Sequence, residues 1–221
     1  MLIGMRNAML AGGAAPGPTP AYWGLCFTAE QANSTVRIWK SGSPSSKTIL
    51  YSTDAVNWSA YTIGTDIVLE NVGDKVWMRA GEGGNSGGWH TSAMAFYRFK
   101  MTGLIAASGN LMSIVDGETE TFTAKVFRSL FQGCTSLTTA PSLPATTLAD
   151  SCYSQMFYGC TSLASIRIGS TGWRTGATYS WVYNVAASGT FYCPTALGTD
   201  ATITRSADYC PEGWTVVNTD A

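Results

Sequence analysis

The sequence predicts a mainly β chain: an N-terminal antiparallel β-sandwich of the immunoglobulin-like kind, then a short leucine-rich-repeat solenoid and a C-terminal cap. Three observations carry this. The stretch 130–137, Leu-Phe-Gln-Gly-Cys-Thr-Ser-Leu, returns at 156–163 as Met-Phe-Tyr-Gly-Cys-Thr-Ser-Leu, an offset of 26 residues. A fixed period of this size with a recurring leucine is the mark of a solenoid, whose units must stack because none can bury its apolar face alone. Second, short β-prone runs between 22 and 100 alternate with turn signals at intervals of roughly 8–12 residues, as in a sandwich. Third, only 12% of residues are charged, while Gly, Thr, Tyr and Trp are plentiful, which favours strands and turns over surface helices.

Residues 1–20 come first. Leu2, Ile3, Met5, Met9 and Leu10 form an apolar tip, and Ala11–Pro20, rich in Gly and Pro, is a linker. The pair reads as a docking peptide on a tether. Its single charge, Arg6, lies inside the apolar stretch, so it is a poor export signal, and synthesis without export is expected. Residues 21–100 make the predicted sandwich. Thr35–Lys40 places Val36 and Ile38 on one face, Arg37 and Trp39 on the other. Further strands are expected at Tyr22–Thr28, Lys47–Ser52, Ile67–Glu70, Lys75–Arg79 and Met94–Lys100. The Gly-rich run 81–92 lacks a Gly-Lys-Ser/Thr phosphate signature. It reads as a connecting loop, or as a recognition loop presenting Trp89 and His90.

Residues 101–189 carry the repeats. Stepping the 26-residue period aligns Leu104, Leu130, Met156 and Val182, then Ile105, Phe131, Phe157 and Tyr183. Strands are expected at Leu111–Val115, Leu137–Ala140 and Leu163–Ile168, stacked in parallel. Ala124–Phe131 and Leu148–Phe157 show helical apolar spacing and are expected as short helices or single turns. The repeat core should comprise Leu111, Phe131, Cys134, Leu137, Phe157, Cys160 and Leu163. Residues 190–221 are the expected cap over the last rung.

Thirteen bases against fourteen acids give a net charge of −1, without a basic cluster in the sequence, which argues against nucleic acid as a partner. No run approaches the roughly 18 apolar residues of a membrane span. One histidine and scattered acids offer no catalytic constellation, metal set or cofactor fingerprint, so no catalytic residue, metal or cofactor is expected. Cys134 and Cys160 sit at equivalent repeat positions, with Ser108 one period earlier, and are expected to be buried, unpaired and structural. Cys193 and Cys210 can bridge in an oxidising compartment or stay reduced. Among the tryptophans, Trp39, Trp89 and Trp173 are the candidates for an exposed recognition surface.

The repeat 131–150, Phe-Gln-Gly-Cys-Thr-Ser-Leu-Thr-Thr-Ala-Pro-Ser-Leu-Pro-Ala-Thr-Thr-Leu-Ala-Asp, and its echo at 156–163 resemble BspA-like leucine-rich-repeat surface proteins of gut bacteria. Thr190–Pro194 and Pro211–Val216 resemble the ends of such arrays, and Tyr51–Trp58 with Asn71–Val76 the β-domain before them. The resemblance implies adhesion to a host protein or surface glycan, and related chains occur in phages. With the short array and the poor export signal, the expectation is a non-enzymatic virion component, of fibre, tail or capsid-decoration type. Its partners would be other virion proteins or copies of itself. A bacterial cell-surface adhesin is the alternative, and a glycan-active accessory enzyme a third.

Overall fold

The computed structural model describes residues 24–82, 84–85, 89–92, 94–115 and 124–220. The docking residues Leu2, Ile3, Met5, Met9 and Leu10, with their linker and Trp23, lie outside these. Thirteen strands and two short 3-10 helices are present among the described residues. They build two sheets and a β-solenoid of about three turns.

The strands run β1 (Leu25–Ala29), β2 (Ser34–Ser41), β3 (Ile49–Ser52), β4 (Ser59–Ala60), β5 (Ile67–Leu69), β6 (Lys75–Ala80), β7 (His90–Ser92), β8 (Ala95–Thr102), β9 (Ile105–Gly109), β10 (Leu137–Leu143), β11 (Ser165–Ile168), β12 (Thr190–Cys193) and β13 (Thr215–Asn218). One sheet has nine strands in the order β13-β12-β11-β10-β9-β1-β6-β3-β4, and the other four, β5-β2-β8-β7. In β2, Val36 and Ile38 are buried and Arg37 and Trp39 half-buried, so the period of two places each side chain. The sheets meet through Phe27 of β1 and Phe99 of β8, ring centroids 5.0 Å apart.

β9 joins the two kinds of pairing. One edge runs antiparallel to β1, with Leu25 opposite Gly109, and the other runs parallel to β10. From there β10, β11, β12 and β13 follow in parallel, one strand per rung. The nine-stranded sheet therefore crosses residues 100–105 without interruption, and one apolar cluster runs from Leu25 to Val216. Gly109 is needed at the joint: its φ is +76°, and a Cβ there would collide with the Gly24 carbonyl oxygen.

Opposite this sheet, the segments 124–133, 150–159 and 175–184 are not the expected helices. Each is a chain of overlapping turns with a left-handed residue at every fourth position: Lys125, Ser129 and Gly133; Ser151, Gln155 and Gly159; Gly176, Ser180 and Asn184. A helix would direct each N–H to the carbonyl four residues back. Here alternate N–H groups leave the segment instead. Phe127, Ser129 and Phe131 donate to the carbonyls of Cys152, Ser154 and Met156 at 3.0, 2.9 and 3.0 Å, while Leu130 and Gln132 donate three residues back. The next pair of rungs repeats this, with Gln155, Phe157 and Gly159 donating to Tyr179, Trp181 and Tyr183, each at 2.8 Å. The apolar pairs Val126-Phe127 and Leu130-Phe131 thus recur every four residues and face inward.

Three further expectations change. Leu111–Ile114 is a 3-10 helix capped by the Asn110 side chain, which accepts from the Met112 N–H at 2.8 Å; β9 supplies that rung's strand. The 26-residue register fails at both ends. Leu104 is 42% exposed, and Phe99 rather than Ile105 stacks on Phe131 at 4.9 Å. Beyond Phe157 the ring contact passes to Trp181 at 6.0 Å, not to Tyr183. The spatial offset is set by backbone pairing between rungs: it is 32 residues from Phe99 to Phe131, where β8 supplies the ring, and 24 from Phe157 to Trp181. Finally, the tail 190–221 does more than cover the last rung, since β12 and β13 extend the sheet. Its Asp208 carboxylate terminates the turn ladder by accepting the Ser180 N–H at 2.6 Å.

The rings of Phe99, Phe131, Phe157 and Trp181 form one column through the rungs. Phe131→Ala should cost about 3–5 kcal/mol, since the fully buried ring packs on those of Phe27, Phe99 and Phe157 and its cavity cannot collapse between fixed rungs. Asp208→Ala should cost about 1–3 kcal/mol by leaving the Ser180 N–H without its acceptor. Chemical denaturation followed by tryptophan fluorescence checks both; equal, negligible losses would contradict the ladder.

Candidate binding surfaces

The side chains that alternate outward on β9 to β12 line a shallow depression of about 280 Å³ on the open face of the nine-stranded sheet. Register decides who meets there. Thr139 lies beside Ser165, and Ser142 beside Arg167. Arg167 in turn neighbours Tyr192, its guanidinium carbon 4.5 Å from the ring centroid. Ser108 completes the rim. The result is a strip of short hydroxyls ending in a cation over an aromatic face. Such a strip can hydrogen-bond a polar ligand at several points with little loss of side-chain entropy.

The expected recognition residues fall elsewhere. Trp89 is fully buried, its backbone N–H donating to the Val126 carbonyl at 3.0 Å and its ring 5.6 Å from Tyr97. His90 is 5% exposed and stacked on Phe96 at 5.4 Å. Neither is presented by a loop, because Asn85 anchors the Gly-rich run: its amide contacts Thr48 and the Ile114 carbonyl, each at 2.9 Å. Trp39 is half-buried on the outer face of the four-stranded sheet, with the Lys100 ammonium 4.5 Å from its ring. Trp173 is half-buried against Phe191 and Tyr209. Trp39 and His90 thus meet on the Phe96 ring, whereas Trp89 is inside and Trp173 packs on the last rungs, so the four do not form one surface. Leu111, Phe131, Cys134, Leu137, Phe157, Cys160 and Leu163 are buried in the shared core.

All six cysteines are free and buried. Cys134 and Cys160 occupy matching places, each thiol directed at the carbonyl of an aromatic residue on the preceding element, Phe99 at 3.2 Å and Phe131 at 3.0 Å. The place ahead of Cys134 in the stack belongs to β8, not to Ser108. Desolvation pushes the Cys134 thiol up to about 12 and Cys152 to about 11, against any thiolate chemistry there. Cys193 and Cys210 are pushed up to about 11 and about 12, again chiefly by desolvation. No group of three His, Cys, Asp or Glu side chains among the described residues is placed to hold a metal ion. No helix among them is long and apolar enough to cross a membrane.

Comparison with protein-family models, curated proteins and solved structures gives no match for this chain.

The native protein should be inert to a thiol-specific aromatic disulfide at pH 8, and six thiols should react once it is unfolded in denaturant without reductant. A lower count would show pairing that this packing does not contain. Cys134→Ala should cost about 1 kcal/mol, and the bulkier Cys134→Leu more, by overpacking between rungs.

Proposed function

We propose that this is a non-catalytic attachment protein that uses the open face of its parallel strands to hold a polar ligand on another surface. The observation that carries this is the strip Ser108, Thr139, Ser142, Ser165, Arg167 and Tyr192, assembled from four successive strands. Most of these residues lie far apart in sequence, and only the stacking brings them together. A hydrolytic reading would need an acid–base pair or an activated nucleophile in the strip. Its members are hydroxyls, one guanidinium and a phenol, without a carboxylate or imidazole.

The finer identity rests on the resemblance to BspA-like chains. Residues 21–100 are read as the immunoglobulin-like sandwich, and 101–189 as the leucine-rich repeats of that family. The chain is then a virion component of a phage of gut bacteria, anchored by 1–20 to other virion proteins or its own copies. Its strip would face a host protein or glycan.

Two measurements test this. Mass spectrometry of purified particles should find the chain; finding it instead in cell-surface fractions would favour the adhesin. In a pull-down with intact host cells, Arg167→Ala and Tyr192→Ala should each lower retention about tenfold, corresponding to about 1.4 kcal/mol. Retention equal to that of the unaltered chain would remove the strip from the account, and turnover of a glycan panel would move the protein to the enzyme class.

A further inference from the structure

A second surface lies on the opposite side of the molecule, where the four-stranded sheet meets the first rung. Its outward residues on β8 are Phe96, Arg98 and Lys100, and on β7 His90. Phe96 carries three groups on its ring: the His90 imidazole, parallel within 10° at 5.4 Å, the Arg98 guanidinium, 4.3 Å from the centroid, and the Trp39 indole, edge-on at 5.6 Å. The first rung is laced to these strands at two points, Trp89 N–H to the Val126 carbonyl at 3.0 Å and Phe99 N–H to the Leu130 carbonyl at 2.8 Å. Arg128 lies between the ties, close enough for its charge to act on both His90 and Arg98, as that of Lys125 does on His90.

Among the described residues this cluster has no acid paired with it. The ion pairs among the described residues are Arg37–Asp66, Arg174–Asp150 and Arg205–Asp200, none involving it. The acid on the adjoining rung, Asp150, is occupied by Arg174 at 2.7 Å. Arg98 Nε, Arg128 Nε and both ring nitrogens of His90 are buried without a hydrogen-bond partner among the described residues. Desolvation first, then the charges of Arg128, Arg98 and Lys125, hold His90 down to about 4. Buried donors without acceptors are costly, and like charges gathered without a counter-ion add to that cost. Two guanidinium groups and an imidazole gathered without a carboxylate among the described residues suit the oxygens of a compact dianion.

We propose that His90, Arg98 and Arg128, with Lys125 at the rim, form a binding site for an oxyanion of the sulfate or phosphate class. The ion is taken either free or as a substituent on a saccharide. The site stands on the four-stranded sheet and the first rung, and so is independent of the strip on the other face.

Calorimetric titration of the full chain with sodium sulfate, sodium phosphate and a sulfated disaccharide, at ionic strength matched with chloride, tests this. Saturable binding is expected, weakened at least tenfold by Arg98→Gln and by Arg128→Gln, and unchanged by Arg167→Gln on the other face. Arg128→Lys keeps the charge and loses the fork; it should also bind more weakly, while circular dichroism shows it folded. Tighter binding of the disaccharide than of sulfate identifies a saccharide source, and equal affinity the free ion. A bound dianion offsets the cations around His90 and raises its pKa, so sulfate affinity should rise as pH falls from 7 towards 5, and His90→Asn should flatten that slope. The chain also carries Asp116, Glu118 and Glu120 between the described segments. Neutralising all three should leave sulfate affinity within a few-fold; a gain of tenfold or more would show that the chain's own acids fill the site and overturn the proposal. So would the absence of binding by all three anions, or equal binding by the Arg98 and Arg128 variants.

Discussion

The ladder of backbone hydrogen bonds between successive turn segments is the constraint on which the rest depends. A left-handed residue every fourth position rotates alternate N–H groups out of the segment and into the next rung. Each rung therefore satisfies its neighbour's polar backbone, leaving few buried donors without partners. The same geometry sends two of every four side chains inward. Given that, the inward pairs must be apolar, and the rings of Phe131, Phe157 and Trp181 must stack, because backbone pairing brings them to ring-contact distance.

The ladder also explains how a sheet of mixed direction reaches from one end of the chain to the other. Parallel strands need a crossover to return the chain to the same edge. Here a turn segment is that crossover ahead of each of β10, β11 and β12, while 194–214, with its 3-10 helix, leads to β13. The first turn segment bonds to β7 and β8, and the first parallel strand to β9. The solenoid thus grows directly from the two sheets and shares their core. Gly109, where the antiparallel and parallel edges meet, is one place at which a side chain would break that continuity.

Two surfaces result, with different chemistry. The open sheet face collects residues from strands some 25 positions apart, short hydroxyls with Arg167 and Tyr192, and suits a ligand met at many weak points. The opposite face collects His90 and Arg98 on the Phe96 ring, with Arg128 close by, and leaves the imidazole nitrogens and both Nε atoms without partners among the described residues, which suits a single concentrated charge. Neither depends on the other, because the apolar column lies between them.

The sequence alone determined that the chain is mainly β, that Gly-Cys-Thr-Ser-Leu marks a repeating unit, and that the cysteines at 134 and 160 occupy matching places. Those features follow from local alternation and from literal repetition, both visible in one dimension. The turn segments were misread as helical because pairs such as Val126-Phe127 and Leu130-Phe131, spaced by four, also fit a period of 3.6 over a short window. The Gly and polar residues at every fourth position were the signal that separated the two. Only tertiary structure decided the register beyond Phe157, the role of β9 as the joint, and the membership of both surfaces. Trp89 and His90 looked like loop residues, yet Asn85 and the first rung draw them inside. Arg98 and Arg128 stand 30 residues apart in a sequence without a basic cluster, and they become neighbours only when the first rung is laced to β8.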